Sequence, residues 1–263
     1  EEKNKAFKKW KGDNFIYKSF SKILHKKIVE LKPEFTNVLL ISSDLNETID
    51  EISKIKCKNL IYLSQYEIFK KEFFKNKSYN VIYADFDDLP FKKKSFDLVI
   101  SNFCTNKVLE KKNYLKKILD ILTDDGLFLC NFFGEQTLRE LRQCFFIADD
   151  RFLSGAFNRI PNVDLMADFS NLLAEVGYNE IVTEKVNFDI FYKSIIGILK
   201  DIKNMGEKIP IIEKKEKISK TYINFLNKIY IKEFANQNLQ LKVTLDIISI
   251  SSWKQLKNNA TNQ

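Results

Sequence analysis

Ser42-Ser43-Asp44-Leu45-Asn46 follows a continuous apolar run and stands where a strand-to-helix loop could hold a nucleotide-like ligand. Such a loop holds its ligand only where the backbone can take positive φ and no side chain enters the ligand's path. No glycine lies between Gly12 and Gly126, so hydroxyl and carboxylate side chains occupy that loop instead. A second group is basic. Of the 43 Lys and Arg residues, only Arg139, Arg142, Arg151 and Arg159 are arginine, and all fall within one short stretch. A guanidinium presents a rigid fork to carboxylate or phosphate that an ammonium does not replace. The cluster therefore reads either as an anion-binding rim or as local pairing with Glu140, Asp149 and Asp150.

These residues need elements to position them. Helical spacing of Phe15, Ile16, Phe20, Ile23, Leu24, Ile28 and Leu31 predicts a helix over 14–32, closed by Lys32-Pro33. The run Asn37 to Ile41 suits a strand buried on both faces. A helix over 47–56, a strand at 60–63, a helix over 65–76, and strands at 81–83 and 96–100 follow. A helix over 108–122 and a strand over 127–133 complete the series. Strands alternating with helices at these spacings argue for a mostly parallel sheet covered on both faces, whose ligands sit at the carboxyl ends of the strands. From Gly134 on, helices are expected at 136–147, 162–176, 191–204 and 211–235, with strands near 180–187 and 241–250. The organisation expected is an N-terminal helical segment over 1–35, a Rossmann-like core over 36–135, and a helical cap over 136–263 that returns the last two strands to the same sheet, forming a single domain.

Two strings carry a resemblance: Leu89-Pro90-Phe91 leading into Ser95-Phe96-Asp97-Leu98-Val99 after Asp85, and Thr123 to Gly134 with its Asp125-Gly126 turn. In this order they resemble the class I S-adenosylmethionine-dependent methyltransferase superfamily. Gly134 to Arg142, Leu165 to Gly177, Lys203 to Glu207 and the closing strand with Trp253 are similar to one branch of it. That branch contains the mitochondrial complex I assembly arginine hydroxylase, its bacterial relatives, and the biotin-pathway malonyl-carrier-protein methyltransferases. The resemblance implies a three-layer α/β sandwich with a seven-stranded, mostly parallel sheet and an added C-terminal helical cap.

The resemblance also implies cofactor positions, and most depart from the family pattern. Leu40 stands for the acid that ends the first strand, and Ser42, Asp44 and Asn46 stand for the loop glycines. Ser64 stands for the acid that binds the ribose hydroxyls, and Asn106-Lys107 for a His-Trp pair. Asp85 is retained where the family acid meets the adenine, with Phe86 beside it, and Asn102 ends the fourth strand in the same group. Arg139, Arg142, Arg151 and Arg159 are the substrate-side candidates. Asp97, at the opposite end of its strand, is expected to satisfy backbone donors. No residue is singled out as the catalytic base.

Composition narrows the function classes. The chain has 263 residues, 44% hydrophobic, and a formal net charge of +8, enough for a substantial core. The lysines are dispersed, so nucleic acid is not the expected partner. One histidine and four cysteines without a CxxC pair encode neither a zinc site nor a disulfide framework. Reduced cysteines fit the cytoplasm or an organelle matrix. A lysine-rich start without an apolar core and the lack of a long apolar run predict neither secretion nor a membrane span. Two functions follow from the resemblance. One is an S-adenosylmethionine-dependent enzyme acting on a protein or acyl-carrier-protein target, by methyl transfer or hydroxylation. The other is a cofactor-less pseudoenzyme that binds a protein or helps assemble a complex.

Overall fold

The computed structural model describes residues 15–42, 44, 47–65, 79–153, 155, 157, 159–160, 163–204 and 219–255. The expected helix over 65–76 falls almost entirely outside them, as does Asn46.

Helix α1 spans Phe15–Leu31 and buries Ile16, Tyr17, Phe20, Leu24 and Ile28, the face its three- and four-residue spacing predicts. It ends where Pro33 pushes the preceding residue out of helical geometry. Strands β1 (Glu34–Ser42), β2 (Lys56–Ser64), β3 (Asn80–Tyr83), β4 (Phe96–Asn102), β5 (Leu122–Phe133), β6 (Tyr178–Tyr192) and β7 (Leu241–Lys254) form one sheet in the order β3-β2-β1-β4-β5-β7-β6. The β1–β2, β1–β4, β2–β3 and β4–β5 pairs are parallel. Among the described residues the further helices are α2 (Glu47–Ile52), α3 (Lys111–Ile121), α4 (Arg139–Leu153), α5 (Met166–Val176), α6 (Ile195–Asn204) and α7 (Lys220–Phe234), with a short 3-10 helix at Thr105–Lys107. Among the described residues no helix is long and apolar enough to cross a membrane.

Several boundaries differ from the sequence expectation, each for a local reason. Helix α2 stops at Ile52 because Ser53 and Lys54 turn the chain and β2 begins at Lys56. Helix α4 starts at Arg139 rather than 136, because Leu138 takes φ 59° and gives its N–H to Thr244 O at 2.8 Å. It then continues to Leu153, since its last turns bury Ala148 and Asp149. Strand β6 runs on to Tyr192, so the following helix begins only at Ile195.

The chain divides into two compact units. The first holds the described residues up to Phe132 together with Leu165–Glu184 and those from Ile248 on; the second holds Phe133–Asp164 and Lys185–Ile247. In the first, Leu39, Ile41, Val99 and Phe128 from the central strands pack with Leu115 and Ile118 of α3 and Phe169 and Leu173 of α5 in one buried cluster. Strands covered on both faces explain the unbroken apolar runs of β1 and β4. The parallel register sets Ser42 beside Asn102, and Asn102 beside Asn131, in a row across β1, β4 and β5. Ser64 and Tyr83 are level at the ends of β2 and β3.

In the second unit, Gly134 leaves β5 with its N–H on Asp246 O at 2.7 Å, and Thr137 Oγ1 donates to the same carbonyl at 2.8 Å. The Asp246 carboxylate is buried, receives the Gln136 N–H at 3.1 Å and faces Lys185 Nζ at 3.1 Å.

Candidate functional site

The row set by strand register turns into a closed polar cluster in the first unit. Asn102 Nδ2 donates to Ser42 Oγ at 3.3 Å and to Thr48 Oγ1 at 2.9 Å, while Asn131 Nδ2 donates to Asn102 Oδ1 at 3.2 Å. Ser42 Oγ also donates to the Asp44 carboxylate. The other Asp44 oxygen accepts the Thr48 N–H at 2.7 Å, which fixes the start of α2. Ser21 of α1 reaches the same cluster through Thr48 Oγ1 at 3.3 Å.

Tyr62 closes the cluster from β2. Its side chain points to the same face as that of Ser64, two residues on. Its phenol donates to Asp44 O at 2.9 Å. Burial, and next the nearby Asp44 charge, hold the Tyr62 phenol far above its ordinary pKa, so it stays a donor. The consequence shows in exposure: Ser42 0%, Asp44 2%, Ser64 0% and Asn102 0%. These four cofactor candidates face one another or the protein interior.

The remaining candidates separate. Asp85 is exposed; its Oδ1 accepts Gln65 Nε2 at 2.9 Å and the Asp87 N–H at 3.0 Å, capping the turn after β3. Phe86 lies wholly within the core cluster rather than at a surface where a ring could stack. At the opposite end of the sheet, Asp97 accepts the N–H groups of Thr36 and Asn37 at 2.7 Å each, the backbone role read for it from its position. Cys104 and Cys130 are buried fillers beside the strand ends. Immediately after β4, Phe103 takes φ 54° while its ring meets Tyr17 and Phe20 of α1 edge-on at 5.2 and 5.4 Å. A bulky residue in that region is strained and persists only when its packing over-determines it.

In the second unit the four arginines do not form one patch. Arg159 is buried, and its Nε donates to Asp149 Oδ2 at 2.6 Å while Tyr222 donates to Asp149 Oδ1 at 2.6 Å. Its guanidinium carbon lies 5.7, 5.4 and 5.5 Å from the ring centres of Phe145, Phe157 and Tyr222. Burial alone would lower the Arg159 pKa, but the Asp149 hydrogen bond and Tyr222 outweigh it, and the net direction is up. Burial and the bond to Asp149 push the Tyr222 phenol up as well. Arg139 lies on the exposed side of α4 with Nε 3.1 Å from Glu140, a carboxylate already engaged by Thr244. Arg142 Nη1 donates to Glu135 O at 3.2 Å, and Arg151 stacks over Phe225 at 5.7 Å.

Sequence reasoning did not single out Thr48, Tyr62 or Asn131. A signal existed for the first: Asp44 with Glu47 three residues later has the form of a helix-start cap. No local signal joins Arg159 to Tyr222, which is 63 positions away. Among the described residues no group of three or more His, Cys, Asp or Glu could hold a metal ion.

The sheet order, its parallel pairs and the flanking helices define a class I methyltransferase fold. A family described as "Methyltransferase domain" matches residues 57–130. The YcgJ protein from Bacillus subtilis has the same fold at a TM-score of 0.60 and 16% identity, over 90% of this chain and 99% of that one. Curated relatives narrow the branch. "Arginine-hydroxylase NDUFAF5, mitochondrial" of Danio rerio is 26% identical over 173 residues, 66% of this chain and 54% of the relative. "Putative methyltransferase RP459" of Rickettsia prowazekii is 30% identical over 151 residues, 53% of this chain and 66% of the relative. "Malonyl-[acyl-carrier protein] O-methyltransferase" of Gallionella capsiferriformans is 29% identical over 123 residues, 47% of this chain and 40% of the relative. The chain spans about half the length of the mitochondrial relatives it matches. The chain is similar to proteins of the class I methyltransferase superfamily, in the branch that holds these relatives.

The resemblance implies S-adenosylmethionine as cofactor, and among the described residues Ser42, Asp44 and Ser64, which stand at its implied loop and ribose positions, do not fit it. Ser42 and Asp44 stand at two positions where the resemblance implies glycine; both are buried and bonded to each other, and Asp44 also accepts the Thr48 N–H of α2. Where the family pattern has a ribose-binding carboxylate, Ser64 is a buried hydroxyl.

Proposed function

We propose that this chain is a methyltransferase-fold protein that no longer holds S-adenosylmethionine and instead binds a protein partner, as an assembly or scaffold module. The closed Ser42–Asp44–Thr48–Asn102 cluster carries this reading. Admitting a nucleoside would break several of its hydrogen bonds, and each buried group left unpaired costs about 1–3 kcal/mol. A total of about 4 kcal/mol is enough to turn a dissociation constant of about 1 µM into about 1 mM. The retained Asp85 does not restore the balance, since it is already engaged by Gln65 and Asp87. The partner side of the reading draws on Arg139, Arg142 and Arg151, whose guanidinium groups suit carboxylates on a protein or carrier protein. Arg159 is a structural residue in this reading. A reducing compartment, cytoplasm or organelle matrix, is consistent with the buried thiols of Cys104, Cys130 and Cys144.

Calorimetric titration with S-adenosylmethionine and S-adenosylhomocysteine tests it. The expected result is binding weaker than millimolar for both. Micromolar binding of either would overturn the reading.

The second reading is an S-adenosylmethionine-dependent transferase acting on a protein or acyl-carrier-protein target. The exposed Asp85 at the end of β3 and the carrier-protein methyltransferase among the relatives favour it. It requires the cluster to open, and the same titration decides between the two.

A further inference from the structure

Strand β6 stands last in the sheet order, so among the described residues no strand pairs along its outer side. It has 15 residues, where most strands have about 3–10. A long edge offers its outward N–H and C=O groups to any extended chain unless something guards it. The half that begins at Tyr178 is guarded: Glu180 takes φ 49°, outside strand geometry, and Glu184 adds a second carboxylate. The half from Lys185 to Tyr192, which lies in the second unit, holds no proline, no glycine and no residue of positive φ. Val186, Phe188, Ile190, Phe191 and Tyr192 make up most of it, side chains of the types that favour strand pairing.

Strand alternation puts Lys185, Asn187 and Asp189 on one face, and all three are exposed. On that face charge alternates from strand to strand. Lys185 Nζ lies 3.1 Å from Asp246 Oδ2 of β7, and Asp189 Oδ2 lies 2.7 Å from Lys242 Nζ of β7. The two charges of β6 thus stand two positions either side of Asn187 and have opposite sign. An antiparallel copy of the same strand, related by a two-fold axis at Asn187, sets Lys185 of each copy against Asp189 of the other. The sequence of charges then runs Asp246, Lys185, Asp189, Lys242 across four strands, two from each copy. No neighbouring register does this. An axis at Lys185 or at Asp189 opposes like charges, which is destabilising, and one at Val186 or Phe188 leaves Lys185 and Asp189 facing no opposite charge.

We infer that the Lys185–Tyr192 half of β6 is the interface of a two-fold dimer of this chain, formed by antiparallel strand pairing about Asn187. The occupant is a second copy because one segment supplies both charges at the spacing its own reversal requires, and an isologous pair closes both open edges at once. A foreign strand would need only one of the two charges and would leave the two-fold pattern about Asn187 without a role. Directly opposed residues of an antiparallel pair share a face and lie within about 4.5–5.5 Å at Cβ, so Asn187 meets Asn187 on the axis. Each cross-strand lysine–aspartate pair contributes up to roughly fivefold in association.

Sedimentation velocity of the full chain over a roughly hundredfold range of concentration tests the inference, with the mass expected to rise from that of one chain toward that of two. Asn187 is the residue that faces its own copy, so Asn187→Asp and Asn187→Lys each set like charges against each other on the axis. Each variant alone should associate roughly fivefold or more weakly than the parent, at an unchanged melting temperature. An equimolar mixture of the two variants sets carboxylate against ammonium and should recover the lost association, with the recovery shrinking as salt is added. If either variant melts below the parent, Asn187→Glu and Asn187→Arg repeat the exchange. A parent that stays a single chain throughout, assembly that continues beyond two chains, a variant that associates as tightly as the parent, or a mixture no tighter than its components overturns the inference.

Discussion

The carboxylate of Asp44 accepts the Thr48 N–H at 2.7 Å, so a residue of the loop after β1 also fixes the start of α2. One side chain thereby joins the buried polar cluster and satisfies a helix-end donor that water would otherwise meet. Asp44→Ala removes the cap and leaves Ser42 and Thr48 with fewer partners. A loss of about 1–2 kcal/mol in urea denaturation is expected. Unchanged stability would show that the contact is not formed in solution.

The Arg159–Asp149 pair lies inside the second unit with a phenol on its other oxygen. Removing one buried partner leaves the other charge uncompensated, so Arg159→Met should cost about 3–5 kcal/mol. Replacing both, with Asp149→Leu added, should recover much of that loss. Tyr222→Phe should cost less, about 1–3 kcal/mol. Chemical denaturation of the three variants checks the order, and a double variant no more stable than Arg159→Met contradicts it.

Gly134 offers a steric test at the end of β5. A Cβ there would lie 2.6 Å from Asp246 Oδ2, whereas one at Gly155 would meet nothing within 4 Å. The Asp246 carboxylate cannot move aside cheaply, because it is buried, faces Lys185 and receives the Gln136 N–H. Gly134→Ala is expected to destabilise by about 1–3 kcal/mol, the usual cost of overpacking, and Gly155→Ala to stay within about 0.5 kcal/mol of the parent. Thermal melting of the two proteins distinguishes them, and equal shifts would refute the packing account.

The strands were legible because parallel strands buried on both faces read as unbroken apolar runs, as in Val38 to Ile41 and Leu98 to Ile100. The departures at Ser42, Asp44 and Ser64 were legible as departures. Their joining into one cluster was not, because it depends on Asn102 lying in register with Ser42 sixty positions earlier in the chain. The arginines were legible as two alternatives, a basic rim or local pairing, and two of them pair locally, the buried Arg159 with Asp149 and the exposed Arg139 with Glu140. Ends of elements were hardest, as at Leu138, whose positive φ comes from a non-glycine residue held by a contact with β7.

Alkaline pH provides the last test, and its sign follows from the buried phenols. Burial, and next the Asp44 charge, raise Tyr62; burial, and next the Asp149 bond, raise Tyr222. A group whose pKa is raised on folding contributes stability that is fully present below its unfolded value, about 10 for tyrosine, and is lost as pH rises through the folded value. Below that value the unfolded chain keeps its phenolic protons, and these residues add no pH dependence. Above it the unfolded chain releases them while the folded protein cannot, so unfolding becomes easier with each step in pH. Guanidinium denaturation from about pH 8 to about pH 11 should show a flat region and then a decline. Tyr62→Phe and Tyr222→Phe should each make the decline shallower, even though both lower stability at neutral pH. A decline as steep in both variants as in the parent would assign alkaline sensitivity to other groups and remove the argument that Tyr62 seals the Asp44 cluster as a neutral donor.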